Sequence, residues 1–493
     1  MKKRNKFSLS HYRLTSFDMG KLVPIMFREV VPGDTFQQKT DALLRCSPLL
    51  APVMHPVHVH IKHVYTPYRI LWSGFEDFIT GGADGNDATV YPTISLTNVA
   101  VGSLANHLGI PVGFTGTTSA LPFRAYALFF NEYIRDEDLV TEIGLSTGSG
   151  TDSTTNTTLQ NVAWEKDYFT SSRPWAQKGT AVTLPIGTTA PVKSDGNGIS
   201  MRTNTGAMST VNSLGGAGNN LYLNTASGGS GQVNWGASGA STTGLYTDLA
   251  NATGISIGDF REALALQRFK ERSALHGSRF TEYLRATFGV ASSDARLQRP
   301  EILGGGKQTI QFSEVIQTAE GTDPVGDLKG HGIAAASSNR YRAFFEEPGC
   351  VITYMYVRPK TVYTSGIQRA FNRRTRFDFL QPEFEHVGQQ EVLNKEVYHA
   401  HSTPDGTFGF QDRFDEYRRA ESEVSGEFAT SALNHFHFAR DFSSDPTLNS
   451  TFVQCVPTER TFAVPGNDVL WVMAHHSIQA RRPLAAHANP YTY

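Results

Sequence analysis

Alternation of apolar and polar side chains over short runs is the main pattern in this sequence of 493 residues. The clearest run, 53–72, contains VHVHIK at 57–62, in which every second side chain is apolar. A period of two is typical of a β-strand with one buried face. Further runs typical of strands lie at 121–130, 350–358, 433–442 and 468–478. Because these runs are far apart, the sequence predicts an antiparallel sandwich whose strands are joined by long connections.

Helical patterns occur in the second half of the chain. Asp259 and Glu262 have the spacing of a capping box ahead of an apolar periodic run, which predicts a helix there. A second helix is predicted from Ser278 to just before Gly289. Its apolar stripe is formed by Phe280, Tyr283, Leu284 and Phe288. The segment 367–380 is a third candidate.

Two stretches rich in Gly, Ser, Thr and Asn interrupt the strand pattern, a long one at 188–254 and a shorter one at 144–158. Both have too few large apolar residues to build a core, so both are expected to be surface insertions. The longer one carries three scattered aromatic residues, Tyr222, Trp235 and Tyr246. We hypothesise that it becomes ordered where copies of the chain meet around a symmetry axis.

The charge balance argues against general nucleic-acid binding, because 44 basic residues oppose 46 acidic ones and the formal net charge is −2. A protein that coats DNA by itself is usually strongly basic. Any enclosed genome would therefore need local patches or a separate basic partner. One candidate patch is an N-terminal arm, residues 1–20, and the alternative is a solvated tail. Its candidate phosphate contacts are Lys2, Lys3, Arg4 and Lys6.

The three cysteines, Cys46, Cys350 and Cys455, form no CxxC pair. Their spacing argues against a disulfide framework and a zinc site, and it fits a reducing cytosol. The basic N-terminus lacks the apolar stretch of a signal peptide, and no run of 18 apolar residues suggests a membrane span. We therefore expect a protein made in the cytosol with no membrane segment.

Two motifs resemble catalytic signatures without their usual context. The stretch 144–148, GLSTG, matches the G-x-S-x-G pattern of hydrolases, but a Gly/Ser/Thr loop follows where a helix is needed. The stretch 303–307, LGGGK, resembles a phosphate loop, yet Glu301 and Gln308 occupy positions that need Gly and Ser or Thr.

The sharpest enzymatic alternative is a rolling-circle nicking endonuclease, in which a His-x-His pair on a strand binds a metal ion. His58 and His60 fit that pattern, as does the pair at 435 and 437. Tyr356 and Lys360 have the spacing of the nucleophile motif, but Tyr356 lies in a run typical of a strand. We therefore expect no catalytic residues, no metal site and no cofactor.

The segment 367–380 interleaves four arginines with three phenylalanines. Such a segment binds a nucleic-acid strand by charge and stacking in some proteins. The alternative, which we favour, is an amphipathic surface whose arginines pair with Asp378, Glu383 or Glu385. The arginines are Arg369, Arg373, Arg374 and Arg376.

A series of short motifs, in a fixed order over about 18–452, resembles the major capsid proteins of microviruses, specifically the gokushovirus branch. The motifs are DMGK at 18–21, PGDTF at 32–36, SPLLAP at 47–52, FITGG at 78–82, LPFRAY at 121–126, DYFT at 167–170, PWAQKG at 174–179, DARLQRP at 294–300, LGGG at 303–306, VLNKE at 392–396 and PTLNSTF at 446–452.

The resemblance implies an all-β fold, an eight-stranded antiparallel jelly roll with long inserted loops and a few helices. It implies one jelly-roll domain over 21–493 and a T = 1 icosahedral shell around a circular single-stranded DNA genome. The insertion 188–254 matches, in position, the protrusions that this branch carries at three-fold axes and that are linked to host attachment. Phe123 and Trp175 are then core or interface residues.

The resemblance also implies partners: other copies of the chain, an internal scaffolding protein, a DNA pilot protein, a small basic DNA-binding protein and a receptor on the bacterial surface. The protein would be assembled in the bacterial cytoplasm and would reside in the virion. The nicking endonuclease and a non-viral β-sandwich binding module remain as alternatives.

Overall fold

The computed structural model describes residues 4–183, 257–316, 318 and 328–486, together with the backbone of short strands between 192 and 247. The chain divides into two compact units, where the sequence suggested one domain with insertions. The first unit combines Met1–Gln177 with Ser273–Tyr493, and the second is Lys178–Arg272. The insertion expected at 188–254 lies inside the second unit.

The strands and α-helices are numbered in chain order. The strands are β1 (Asn5–Ser8), β2 (His11–Phe17), β3 (Val23–Val30), β4 (Thr35–Cys46), β5 (Val57–Pro67), β6 (Thr93–Leu96), β7 (Gly116–Ser119), β8 (Thr151–Asp152), β9 (Val192–Ser194), β10 (Ser200–Arg202), β11 (Met208–Thr210), β12 (Asn234–Trp235), β13 (Leu245–Thr247), β14 (Glu301–Thr309), β15 (Gln311–Ile316), β16 (Leu328–Ser337), β17 (Tyr341–Phe344), β18 (Gly349–Pro359), β19 (Gln389–Leu393), β20 (Thr407–Asp412) and β21 (Leu470–Arg482). The helices are α1 (Tyr68–Leu71), α2 (Phe75–Thr80), α3 (Leu104–Leu108), α4 (Leu121–Phe129), α5 (Ile257–Leu275), α6 (Phe280–Phe288), α7 (Arg369–Asn372), α8 (Asn394–Val397) and α9 (Ser450–Val453).

Two antiparallel sheets dominate the first unit. The larger follows the order β1-β21-β4-β16-β15, with β2 also beside β21 and β17 also beside β4. The smaller follows the order β14-β5-β18-β3. Strands β4 and β21, the two longest partners, come from opposite ends of the chain and pair from Thr35–Arg481 to Cys46–Leu470. The expectation of a mainly antiparallel β-protein with distant strands and a few helices is confirmed.

One hydrophobic core lies between the two sheets. Apolar side chains of β4 and β21 pack there against those of β5 and β18 from the opposite sheet. The members on these four strands are Ala42, Leu44, Cys46, Val57, Val59, Ile61, Met355, Val357, Leu470, Val472 and Ala474. The alternation recognised in the sequence at 57–62 therefore marks the inner face of β5.

A second core covers part of the outer face of the smaller sheet. Helix α4 packs Phe123, Tyr126 and Phe129 against Ile352 and Tyr354 of β18. Because β18 is buried on both faces in this region, its sequence is a nearly continuous apolar run.

The prediction of a strand at 121–130 is wrong, because this segment forms α4 and the start of a π-helix, Phe130–Ile134. A short helix that is buried nearly all round has no polar face, so its pattern cannot be separated from that of a buried strand. Pro122 in the first turn is the signal that was missed, since proline favours that position.

The strand predicted at 433–442 is also wrong. Residues Asn434–Phe436 form a 3₁₀ turn, and the backbone beyond it is irregular. Here the side chain of His437 accepts a hydrogen bond from the backbone N–H of Ala439, so a local side-chain bond satisfies a group that a sheet would otherwise use.

The remaining predictions from pattern mostly hold. The strands at 350–358 and 468–478 are β18 and β21, and the helices near Asp259 and Ser278 are α5 and α6. The segment 367–380 contains only the short α7 and a 3₁₀ turn, Arg376–Asp378. The boundary expected after residue 20 does not separate an arm from the sheet, because β1 and β2 hydrogen-bond to β21.

The second unit, Lys178–Arg272, contains two small antiparallel arrangements, β11-β10-β12 and β13-β9, and most of α5. Within this unit the N–H of Lys178 donates to the carbonyl oxygen of Lys270 at 3.3 Å. The ammonium group of Lys270 donates to the carbonyl oxygen of Thr180 at 2.7 Å.

Candidate functional site

The N-terminal basic residues expected to contact phosphate lie partly within the larger sheet. Lys2 and Lys3 are outside the described residues. The Nη1 group of Arg4 donates a hydrogen bond to the carbonyl oxygen of Gly33 at 3.1 Å. Lys6 is exposed on β1, beside β21. Arg4 is thus bonded to the turn between β3 and β4, Lys6 lies on an edge strand, and the contact of both with DNA stays a prediction.

Tyr222 lies outside the described residues, and of Trp235 and Tyr246 the backbone alone is described, in β12 and β13. Phe123 is fully buried on α4, and Trp175 is half-buried. The surroundings of Phe123 are therefore those of a core residue.

The arginines of 367–380 divide into two groups. Arg369 pairs with Glu396 at 2.8 Å, and Arg373 pairs with Glu416 at 3.5 Å. These acidic residues are not the partners suggested by the sequence, because Asp378 instead accepts hydrogen bonds from backbone N–H groups of its own turn.

The second group, Arg374 and Arg376, shows no carboxylate partner within the described residues. Arg376 lies over the ring of Phe377, 4.7 Å from its centroid. Phe371, Phe377 and Phe379 are all exposed. Exposed aromatic rings interleaved with arginine are enriched at protein–protein interfaces, so this surface suits contact with another protein chain.

The first histidine pair lies on a strand, as expected, but its surroundings differ from those of a nicking enzyme. The ring centroids of His58 and His60 are 6.5 Å apart on β5. His60 is buried and stacks on Tyr356, with ring centroids 4.7 Å apart. Tyr356 belongs to β18, whereas the nucleophile of that enzyme class lies on a helix. Burial lowers the pKa of His60 to about 3 and raises that of Tyr356.

The second pair, His435 and His437, lies in and beside a 3₁₀ turn and therefore does not share a strand face. Among the described residues, no group of three His, Cys, Asp or Glu side chains has a geometry suited to a metal ion. Over the same residues, no helix has both the length and the apolar character needed to cross a bilayer.

The two glycine motifs have structural explanations. A Cβ atom on Gly305 would lie 2.4 Å from the carbonyl oxygen of Ile61, and one on Gly306 would lie 2.4 Å from that of Ser337. The glycines of LGGGK therefore allow β14 to approach its neighbours closely, rather than forming a phosphate loop. The GLSTG stretch is followed by β8, a strand, instead of the helix that a hydrolase requires.

Sequence reasoning missed a cluster of basic residues on the outer face of the smaller sheet. Lys307, Arg358 and Lys360 lie around the His58–His60 pair, although they are far from it in the chain. No local signal marks them, because the cluster exists only through the register of three strands.

Comparison with known proteins identifies the family. A family model described as capsid protein (F protein) matches residues 1–492. The chain belongs to this capsid protein family. It is a structural component of a virion and not an enzyme.

Relatives of this capsid protein align over nearly the whole chain. Capsid protein VP1 of Bdellovibrio phage phiMH2K is 34% identical over 519 residues, covering 99% of this chain and 96% of that protein. Capsid protein VP1 of Chlamydia phage 1 is 31% identical, and the alignment covers 99% of this chain and 95% of that protein. Capsid protein VP1 of Spiroplasma virus 4 is 30% identical, also with 99% and 95% coverage. The resemblance to microvirus capsid proteins is confirmed, and both alternatives, the endonuclease and the non-viral binding module, are set aside.

Proposed function

We propose that this capsid protein assembles into a T = 1 icosahedral shell that encloses a circular single-stranded DNA genome. The observation that carries the proposal is the family match over residues 1–492. A capsid protein works through contact with other copies of itself, and exposed apolar surface is what such contacts bury. Exposed apolar side chains occur on α6 as well as on the segment 367–380, and on α6 they include Phe280 and Phe288.

The proposed fold within the shell is an eight-stranded antiparallel jelly roll. Strands β21, β4, β16 and β15 of the larger sheet pack against β5, β18 and β3 of the smaller sheet in one core, and β14 lies beside β5. Strands β1 and β2, beside β21, and β17, beside β4, are then additions to the four jelly-roll strands of the larger sheet. A sandwich of two four-stranded sheets is the arrangement that a jelly roll requires.

We also propose that the insertion 188–254 forms protrusions at the three-fold axes that contact the host, through Tyr222, Trp235 and Tyr246. The support is that this part of the chain belongs to a separate compact unit, Lys178–Arg272. The sequence of a separate unit can change with little effect on packing in the main core.

The proposed partners are an internal scaffolding protein, a DNA pilot protein, a small basic DNA-binding protein and a bacterial receptor. The net charge of −2 supports a basic partner, because the shell by itself does not neutralise the phosphates of a genome.

The test is expression with the candidate scaffolding protein, followed by sedimentation and negative-stain electron microscopy. Uniform small closed shells are expected, and a monomer that never assembles would contradict the proposal. Replacing 188–254 by a short Gly/Ser linker tests the protrusions separately. Shells should still form and should lose the density at the three-fold axes together with adsorption to the host.

A further inference from the structure

The outer face of the smaller sheet carries the cluster of cations noted above. Alternate residues of a strand share a side, so three polar residues of β5 point away from the core between the sheets. In the strand register, Lys307 of β14 lies opposite His60, and Arg358 of β18 lies opposite His58. We call this surface the basic sheet face, formed by His58, His60, Lys62, Lys307, Arg358 and Lys360.

Positive charge exceeds negative charge on this face. The carboxylate of Glu165 lies between two of its lysines, 3.6 Å from Nζ of Lys307 and 3.5 Å from Nζ of Lys360. Burial alone would raise the pKa of Glu165, but these two lysines and Arg358 hold it below its usual value. The charge of Lys360 also acts on Glu421. Two carboxylates, Glu165 and Glu421, therefore oppose the four cations Lys62, Lys307, Arg358 and Lys360 within the described residues.

Two buried nitrogen atoms of the face are unsatisfied. Neither Nε2 of His60 nor Nε of Arg358 has a hydrogen-bond partner within the described residues. Burial, and then the charges of Arg358 and Lys307, keep His60 neutral by lowering its pKa to about 3. Nη1 of Arg358 donates to the carbonyl oxygen of Ala163 at 2.9 Å, so Nε is the donor of this guanidinium that lacks an acceptor. The face thus has more positive charge than its own carboxylates balance.

The face is both rigid and reachable. Its members are positioned by three hydrogen-bonded strands, while the side chains of Lys307 and Lys360 are 46% and 42% exposed. Arg369 and Arg373 of the segment 367–380 each have a glutamate partner of their own, so they carry no comparable excess of positive charge. A compact excess of cations on a fixed frame suits an anion with several acceptor oxygens, and phosphate is such an anion.

We propose that the basic sheet face binds phosphate groups of the enclosed single-stranded DNA. This proposal rests on the proposed function, and it explains how a chain with net charge −2 contacts a polyanion: the contact depends on local charge and not on the total. The contacts are to the backbone, so they read no base sequence.

The test measures binding of a short labelled oligothymidylate to the full-length unassembled subunit, by fluorescence anisotropy over a series of salt concentrations. The double variant Lys307→Gln, Lys360→Gln should bind about tenfold more weakly, with a salt slope reduced by about 1.4, or about 0.7 for each lost phosphate contact. Glu165→Gln should bind more tightly, because it removes one opposing carboxylate.

Lys39→Gln is the matched control, since Lys39 is a partly exposed lysine that pairs with Asp41 at 2.8 Å on the larger sheet. It removes one positive charge, as each of the two lysine substitutions does, and should leave affinity unchanged. Inorganic phosphate distinguishes a free-ion site from a strand-binding site. Competition at millimolar phosphate that abolishes binding would mean a free-ion site and overturn the proposal, whereas retained binding supports it.

Three further results would overturn the proposal: unchanged affinity and salt slope in the double lysine variant, weaker binding by Glu165→Gln, and equal displacement by polyglutamate. The last would indicate an acidic protein segment as the ligand. Electron microscopy of shells from the same variants separates the two proposals. Normal shells with unaltered DNA affinity refute the basic sheet face alone, and failure of the wild-type chain to form shells refutes the proposed function.

Discussion

The ion pair between Arg124 and Asp152 fixes the 144–158 loop to helix α4, and its removal gives the most direct test of the fold. Nε of Arg124 donates to Oδ2 of Asp152 at 2.8 Å, and the two side chains are 1% and 0% exposed. The guanidinium also donates to the carbonyl oxygens of Leu71 at 3.1 Å and Gly148 at 2.8 Å. Thr155 donates its hydroxyl to the same carboxylate at 2.6 Å. We expect Arg124→Met to destabilise the first unit strongly.

The expected loss of stability depends on the polar groups that remain buried after the guanidinium is removed. The carboxylate of Asp152 would remain buried without its cation, and two carbonyl oxygens would lose their donor. Removing one partner of a buried pair costs about 3–5 kcal/mol. Unfolding entropy of roughly 2.1 cal/mol/K per residue, applied to 493 residues, gives about 1 kcal/mol/K, so Tm should fall by about 3–5 °C.

The assay is thermal unfolding of the purified subunit, followed by tryptophan fluorescence, with Asp152→Asn and the double variant measured beside Arg124→Met. The double variant should lose less unfolding free energy than the two single variants lose in sum, because it leaves neither buried charge without its partner. The control is Glu347→Gln, since Glu347 pairs with Arg69 at 3.0 Å where the side chains of Arg69 and Glu347 are 35% and 42% exposed. That change should cost less than about 1 kcal/mol. The reasoning is refuted if Arg124→Met costs no more than the control.

Three further predictions concern the core, pH and one glycine. Phe123→Ala should cost about 3–5 kcal/mol and most of the soluble yield, whereas Trp175→Ala, at a half-buried site, should mainly lower the yield of shells seen by sedimentation. Burial, with smaller contributions from neighbouring charges, lowers the pKa of His476 from 6.5 to about 3, so an unfolded chain binds more protons below pH 6.5. The contribution of His476 to stability is complete above that pH and falls by about 2 kcal/mol at pH 5. Tm measured from pH 7 to 5 should therefore decline less in His476→Gln than in the wild type. Gly20→Ala should lower Tm far more than Gly85→Ala: both glycines have positive φ, but a Cβ atom on Gly20 would lie 2.1 Å from a backbone carbonyl oxygen, while Gly85 is in open space. Equal losses would show that close approach is unimportant there.

Local pattern was sufficient for strands with one buried face and insufficient for segments buried on all sides. The alternation at 57–62 identified β5 because one face of that stretch contacts the core and the other carries polar groups. The run at 121–130 gave the same apolar impression although it forms α4, since helix α4 is enclosed by its own core. The difference between them lies in what packs around each segment, which a single sequence does not contain.

Pairing between distant strands was predictable in kind and not in detail. The sequence indicated that strands from the whole chain share a sandwich, but the alignment of β4 with β21 depends on many contacts between residues more than 400 positions apart. The N-terminal strands at the edge of the larger sheet were difficult to predict for the same reason. The basic composition of residues 1–20 suggested a solvated arm, yet alternate residues of β1 and β2 are partly buried against β21.

The basic sheet face shows why composition misleads about charged partners. The chain is nearly neutral, and its most basic local runs, at the N-terminus and at 367–380, were the sequence candidates for phosphate. In the fold, Arg4 is hydrogen-bonded to the turn between β3 and β4, and Arg369 is paired with a glutamate. Lys307 of β14 and Lys360, directly after β18, share the carboxylate of Glu165, and each is unremarkable in its own segment. Electrostatic attraction depends on distance in space, so a neutral sequence and a locally cationic surface are compatible.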